Sequence, residues 1–326
     1  MTIKQKYIFL IIILTGFIIG LNNKDLTHEL PDSVGEPLEL IIIKDVKQAN
    51  KVFYKKLKEN LIVDIGPAPQ PESTLKLIEI DKQAFKGIFK RHKNLLIVSL
   101  ADEFSVRKKN DLFAKNQTVF FVDFSPLNTP KEWKQEILRI VEDIRGTEMK
   151  RLARGFEKTY NKEAQKEIQK KHGFSMRLPK EFFLAYSDPA TTWKRRELPK
   201  SSQGILIANL PLSTQPYSAK YILSKADSII QSHIFGPTEN TYMAIEKQAP
   251  ILIDTVLIHN QQALKIQSLW RMENDFMGGV FNLYYFTTSN KKNPKIIYTY
   301  LYAPGEKKSI FLIQLEAIIN TISFNY

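Results

Sequence analysis

The sequence of 326 residues contains no cysteine. This absence excludes a disulfide framework, zinc or iron–sulfur sites with cysteine ligands, a thiol nucleophile and lipid attachment to a thiol. The five histidines do not show the spacing of a helical zinc site, so no metal is predicted. The chain also lacks a nucleophile elbow, a phosphate-binding loop and a dinucleotide-binding glycine motif. No cofactor is therefore predicted, and the sequence favours a protein that is not an enzyme.

Basic residues are in excess, with 47 Lys and Arg against 34 Asp and Glu, which gives a formal net charge of +13. Such a surface attracts anionic partners. The basic clusters are interspersed with acids and match no nucleic-acid-binding motif, so nucleic acid is disfavoured and anionic lipid or envelope polymer stays open. These clusters are Lys86 to Lys93, Arg107 to Lys109, Lys150 to Arg154, Lys170 to Lys171 and Lys194 to Arg196.

The N-terminus has the layout of an export signal. Lys4 and Lys6 precede an apolar run from Tyr7 to Leu21, after which the chain turns polar. A spanning helix needs about 20 apolar residues, so this run is short for a permanent anchor. We predict that residues 1–21 form a signal peptide or membrane anchor and residues 22–36 a tether, with the remainder outside the cytoplasm, on the periplasmic side of a membrane.

A second interpretation of the leader is a lipoprotein ancestry. Leu14–Gly16 and Ile18–Gly20 are shaped like the box that precedes the lipid-carrying cysteine of bacterial lipoproteins. The positions where that cysteine would stand hold Phe17 and Leu21. Both interpretations predict export.

Residues 37–172 are predicted to form an N-terminal α+β domain. Leu38 to Ile43 is an apolar run typical of a strand, and a helix is expected to follow Asp45. A long helical pattern starts at the N-cap Thr129, is interrupted at Gly146 and stops at Gly173, as one kinked helix or two consecutive ones. We expect a mostly antiparallel sheet, with a ferredoxin-like arrangement as one candidate.

Residues 173–326 are predicted to form a second α+β domain. Short strands at close spacing indicate a twisted antiparallel sheet. One helix is expected after the N-cap Ser218, and a second carries the apolar stripe Phe311, Leu315, Ile318 and Ile322. We expect both helices to pack on one face of the sheet.

The segment Trp270 to Gly279 is the best candidate for a site. On a strand, Arg271, Glu273 and Asp275 point to one face while Trp270 lies on the other. Paired carboxylates beside a cation could perform acid–base work or bind a ligand. The favoured interpretation, however, is an ion-pair cluster that pins a sheet and a turn, with Asp275 as a turn former.

Four stretches carry a resemblance to an uncharacterised family of bacterial envelope proteins. They are Gly35 to Leu40; Gly236 to Glu239 with Tyr242 and Met243; Leu269 to Glu273 with Asp275 to Gly279; and Tyr302 to Gly305. The family is a domain of unknown function found mostly in predicted lipoproteins of Bacteroidota, and the likeness covers roughly residues 35 to 323. The resemblance implies a location in the cell envelope, and the usual lipid-carrying cysteine is missing.

Three functions follow as expectations. The first is an exported, membrane-associated binding or assembly module without catalysis, which would take an envelope protein or an anionic polymer as partner. The second is an envelope enzyme built on Arg271, Glu273 and Asp275. The third is a peripheral binder of anionic lipid or polysaccharide.

Overall fold

The computed structural model describes residues 29–44, 51–125, 127, 130–211, 217–286 and 294–324. These residues form two mixed α and β units, so the predicted α+β class with two units is confirmed. The helices are α1 (Lys51–Leu61), α2 (Trp133–Thr159), α3 (Lys162–His172), α4 (Ala219–His233) and α5 (Lys308–Ile319). The strands of the first sheet are β1 (Glu39–Lys44), β2 (Lys76–Asp81), β3 (Asn94–Leu100), β4 (Ser105–Asn110) and β5 (Thr118–Phe124). Those of the second are β6 (Phe183–Ser187), β7 (Thr191–Leu198), β8 (Ser201–Asn209), β9 (Tyr242–Ile245), β10 (Leu252–Ile258), β11 (Gln261–Glu273), β12 (Gly278–Phe286) and β13 (Lys295–Tyr302).

The first sheet has five strands in the order β2-β1-β3-β5-β4. Strand β1 is parallel to β2 and β3, and β3 is parallel to β5; only β4 runs antiparallel to its neighbour. This sheet therefore differs from the predicted mostly antiparallel, ferredoxin-like one. The physical reason is the crossover from β1 through α1 to β2. A helical crossover carries the chain back to the end of the sheet at which the first strand began, so the next strand runs parallel to the first. Over both sheets together, antiparallel pairings predominate.

Successive residues of β1 are buried on opposite faces of the first sheet. Leu40 and Ile42 join the core formed with α1 and α2. Ile41 and Ile43 join a smaller cluster on the other face, which includes Phe85 from the connection between β2 and β3. The first sheet is thus helix-covered on one face and covered by loops on the other.

The helical pattern after residue 129 forms two helices. The break lies at Tyr160 and Asn161, where the Asn161 side chain accepts hydrogen bonds from the first amides of α3. The 27-residue α2 runs through Gly146, so the interruption predicted there is wrong. The predicted stop is confirmed, because Gly173 takes the left-handed conformation at φ 75°. The expected N-cap Thr129 lies outside the described residues.

The second sheet is antiparallel, as predicted, and curls into a half-barrel. Its order is β10-β11-β12-β13-β8-β7-β6, with β9 paired to the far end of β11. The predicted pair of helices does not share a face. Helix α4 packs on the face of Leu206 and Tyr298, whereas α5, together with α3, packs on the face of Ile205 and Ile297.

Helix α5 is the element on which the two domains meet. Its residue Ile313 joins the core of the first domain, whereas Leu315 and Ile318 join that of the second. Glu72 from the first domain accepts hydrogen bonds from the backbone amides of Lys308 and Ser309 at the start of α5, both at 2.9 Å. Such contacts on both sides fix α5 between the domains.

A buried ion cluster lies beside α5. The Glu316 carboxylate pairs with Arg145 of α2 and with Lys265 of β11, whose Nζ lies 2.7 Å from Oε1. Burial by itself raises the pKa of Glu316, but Lys265 and Arg145 outweigh it and the pKa is lowered. Glu316 therefore stays charged and links α2 to the second sheet.

The predicted leader, residues 1–21, and the predicted helix start at Asp45 lie outside the described residues. The described end of the predicted tether is bound to the first domain: the Arg91 guanidinium donates to Asp32 O at 2.9 Å, and Val34 forms a parallel bridge with His92. Gly35 takes φ 103° with the His92 ring where a Cβ would stand. Among the described helices, none is both long and apolar enough to cross a membrane.

Candidate functional site

The predicted site lies where β11 leaves the second sheet. Trp270 is paired with Gly279 of β12 on one side and with Ile245 of β9 on the other. Arg271 and Glu273 point to the face opposite Trp270, as the alternation of a strand requires. The side chains of these three residues point in the predicted directions. As a result, the charged groups lie on one face of the strand and the Trp270 ring on the other.

The two charged residues neutralise each other at the surface. The guanidinium of Arg271 pairs with Glu273, and its Nε lies 3.4 Å from Oε2 of Glu246. The Arg271 side chain is 44% exposed, so solvent screens both pairs. Neither side chain lines the cavity described below.

Asp275 is part of the turn between β11 and β12. Its Oδ1 accepts a hydrogen bond from the backbone amide of Phe276 at 2.6 Å. The preceding Asn274 takes φ 59°, and its Nδ2 donates to Asn240 O at 2.9 Å. Asp275 forms no ion pair with any described residue, so the structure brings together Arg271 and Glu273 but not the third member of the predicted cluster.

Trp270 is held firmly in the core. Its indole Nε1 donates to Leu301 O at 3.2 Å, and its ring meets Tyr300 edge to face with centroids 5.8 Å apart. Gly279 lies against this ring: a Cβ there would be 2.0 Å from Leu301 O and 2.9 Å from the indole nitrogen. Only glycine leaves the indole in this position.

A cavity of about 220 Å³ opens beside Trp270. Its wall is dominated by aromatic rings and thioethers, which are the groups that adapt to an apolar ligand. They are Trp193, Trp270, Tyr300, Tyr302, Met243, Met272 and Met277. Ile234, Phe235, Gly236 and Pro237 complete the apolar part of the lining.

The charged and hydroxyl groups of the lining, other than the tyrosines, are Arg195 and Ser202. Both donate to Oε1 of Glu197, Arg195 Nε at 2.8 Å and Ser202 Oγ at 3.0 Å. The guanidinium of Arg195 also lies 5.5 Å from the centre of the Trp193 ring. Burial raises the pKa of Tyr300 to about 12, so its hydroxyl stays protonated at neutral pH.

Two exposed phenylalanines lie on loops that reach the cavity: Phe235 is part of its lining, and Phe276 precedes the lining residue Met277. Phe235 is 63% exposed and Phe276 is fully exposed. They lie on two loops, after α4 and between β11 and β12, that the hydrogen bond from Asn274 to Asn240 ties together. Apolar rings held in solvent next to an apolar cavity mark a contact surface.

Reasoning from the sequence identified Trp270 but missed the other cavity residues. Trp193, Met243 and Tyr300 come from separate strands and meet only through the sheet topology. A signal was nevertheless present, since three of the four stretches that carry the family resemblance contribute to this lining, with Gly236, Met272 and Tyr302 among their residues. Among the described residues, no group of three or more metal-ligating side chains is placed for a metal ion.

Comparison with known families covers almost all of the described chain. Residues 33–169 match a domain of unknown function (DUF8532), and residues 161–321 match a second domain of unknown function (DUF4837). The resemblance to an uncharacterised family is confirmed. The two matches overlap at residues 161–169, which are the N-cap and first part of α3, and the cavity lies entirely within the DUF4837 match. No curated protein matches the sequence.

Among solved structures, the chain is weakly similar to the Ran-binding protein Mog1p of Saccharomyces cerevisiae and to a mutant of protein Mog1. The identities are 6% and 8%, and both comparisons cover 47% of this chain and 90% of the other, with a TM-score of 0.31. A similarity at this level indicates neither a common fold nor a common function.

Proposed function

We propose that the protein is an exported, membrane-held binding module of the cell envelope, and that the cavity beside Trp270 receives an apolar group of its ligand. The leader pattern supports export, since Lys4 and Lys6 precede the apolar run from Tyr7 to Leu21. The single observation that carries the binding role is the cavity itself, lined by aromatic rings and methionines and flanked by two exposed phenylalanines.

The size of the cavity limits what enters it. Sites that hold a whole drug-sized ligand measure about 300–1,000 Å³, whereas an apolar cavity of about 150 Å³ accepts benzene. A volume of about 220 Å³ suits one ring or a short acyl segment. The remainder of the ligand would lie outside, against Phe235 and Phe276.

The chemistry of the lining favours binding over catalysis. Arg195 and Ser202 are both engaged by Glu197, and Tyr300 does not ionise near neutral pH. The rival hypothesis of an enzyme at Arg271 and Glu273 requires a carboxylate that faces a substrate. Those side chains pair with each other on the opposite face of β11.

Fluorescence with the neutral probe N-phenyl-1-naphthylamine tests the proposal, because a probe without charge is not attracted by the basic surface. Two of the three tryptophans, Trp193 and Trp270, line the cavity, so their emission should be quenched as probe emission rises. The double variant Phe235→Ala/Phe276→Ala should bind about tenfold more weakly, since it removes about 1.4 kcal/mol of apolar contact.

The matched control is Ile88→Ala/Phe89→Ala, which removes two exposed apolar side chains of the first domain. It should leave probe affinity unchanged. Equal losses in the two double variants, or a probe that does not quench tryptophan emission, would show that the cavity is not the binding site.

A further inference from the structure

The second half of α2 packs on the first domain's core through Met149 and Leu152, and its outer sides are flanked by two clefts. The first cleft, of about 670 Å³, lies between α2 and the end of α5 and includes Arg177 and His259. The second, of about 520 Å³, lies between α2 and the segment of Asp32 and Ser33. Arg154 and Glu157 line both clefts, and we name the two clefts together the α2 trough.

The trough is strongly basic. Its lining carries six Lys and Arg side chains against two carboxylates, those of Asp32 and Glu157. Arg177 pairs with Glu157, and Arg151 pairs with Glu148 beneath the surface. The other four cations form no ion pair with any residue that the structure describes. These are Lys93, Lys150, Arg154 and Lys158.

One guanidinium of the trough is locked in place. The Arg151 side chain is 11% exposed, and it donates to Glu148, to Asn94 Oδ1 at 3.0 Å and to Thr118 Oγ1 at 3.1 Å. Its Nε is buried and has no hydrogen-bond partner among the described residues. A cation fixed in this way loses little side-chain entropy when an anion binds beside it.

The helix leaves room along the trough. A Cβ added at Gly146 or Gly155 would meet nothing within 4 Å. Neutral polar side chains line the second cleft beside the cations, namely Ser33 and Asn116. In the first cleft, Asn320 and Thr321 already donate to backbone carbonyls of α5. Hydroxyl and amide side chains of this kind hydrogen-bond to sugar hydroxyls, while Lys and Arg pair with acidic groups.

We propose that the α2 trough binds a linear acidic polysaccharide, with Arg154 at the crossing point of the two clefts as the central contact. The concave shape favours a chain that lies in the trough over a flat membrane surface. The mixture of cations and neutral polar groups favours a sugar acid over a ligand that carries charge alone. The trough and the cavity beside Trp270 have no lining residue in common, so the proposal stands independently of the one above.

Calorimetric titration of the full chain in detergent tests the proposal. The full chain is used because a shorter one that starts at residue 29 would need separate proof of folding. The probe is a galacturonic acid oligosaccharide. Binding should weaken by about tenfold in Arg154→Glu, and it should fall with added salt because exposed charges are screened. The matched control is Arg139→Glu, which makes the same charge change on the same helix at a site that is 68% exposed and outside the trough.

The control variant should bind within about twofold of the unchanged chain, as expected for a charge beyond direct contact. Equal weakening in both variants would overturn the site, because net charge alone would then explain binding. A polyphosphate of equal charge that binds as tightly would overturn the choice of a sugar acid. Retention on acidic lipid vesicles without oligosaccharide binding would overturn the proposal in favour of a membrane surface.

Discussion

The buried Glu316 is predicted to be the polar residue on which the union of the two domains depends most. Glu316→Gln keeps the volume of the side chain but removes its charge. The Lys265 side chain, which is 13% exposed, would then lie in the junction without this counter-ion, whereas that of Arg145, 42% exposed, would stay in contact with solvent. Removing one partner of a buried ion pair costs about 3–5 kcal/mol, because the remaining charge stays desolvated. We expect a loss of that size in the free energy of unfolding.

A matched control is available in the same domain. Glu273→Gln makes the same substitution in the pair with Arg271, whose side chain is 44% exposed. An exposed ion pair contributes about 0–1 kcal/mol, so this variant should be nearly as stable as the unchanged chain.

Urea unfolding separates the two cases. Trp133 lies in the first domain's core, and Trp193 and Trp270 lie in the second's, so tryptophan emission reports on both domains. The double variant Glu316→Gln/Lys265→Met should recover part of the stability, because it removes one uncompensated charge. If Glu316→Gln costs no more than Glu273→Gln, the ion cluster does not stabilise the junction and the reasoning is wrong.

Four other substitutions have defined outcomes in urea unfolding. Gly279→Ala should destabilise the chain by more than about 2 kcal/mol, because its Cβ would collide with Leu301 O; Gly146→Ala, in open space on α2, should stabilise it by up to about 1 kcal/mol. Asn161→Ala removes the N-cap of α3 and should cost about 1 kcal/mol. Burial first, and then Lys171 and Lys295, lower the pKa of His172 from 6.5 to about 4. The unfolded chain therefore binds the proton first, so stability should fall by about 3 kcal/mol as pH drops through this window, and the fall should vanish in His172→Asn.

The sequence predicted what depends on neighbours along the chain. The stop at Gly173 and the cap at Ser218 were found because glycine and serine act through local geometry. The direction of β1 against β2 was missed, since pairing is decided by a crossover that no short pattern encodes.

The placement of α4 and α5 on opposite faces of the second sheet was also missed, although the sequence contains a signal for it. An apolar stripe such as Ile222 and Ala226 shows that a helix buries one side, but not which face of the sheet it covers. Strand β12 is nearly continuously buried from Gly279 to Phe286. A strand with such an apolar run is covered on both faces, so its composition favoured helices on opposite faces from the start.

Of the candidate site, the sequence predicted the alternation of Trp270 with Arg271 and Glu273, because strand geometry is local. The site predicted from the sequence lay on the charged face of the strand rather than on the aromatic face. The charged face pairs with itself, and the aromatic face opens into a cavity whose other walls, such as Trp193 and Tyr300, come from distant strands. Residues from distant strands meet only through the sheet topology, so the spacing of residues along the sequence does not predict this cavity.

The domain junction and the α2 trough are physically linked, and this link yields a last prediction. One wall of the trough is α2, which belongs to the first domain, and the opposite wall includes Asn320 and Thr321 at the end of α5. Glu316, one turn before Asn320, holds α5 to α2 through Arg145. Loosening this contact should let the walls move apart, so Glu316→Gln should weaken binding of the galacturonic acid oligosaccharide under conditions in which the variant is still folded. The cavity beside Trp270 packs on the α4 face of the second sheet, away from the junction, so affinity for N-phenyl-1-naphthylamine should not change. Equal effects on the two ligands would mean that Glu316 acts through global stability, and an effect on neither would mean that the trough does not depend on the junction.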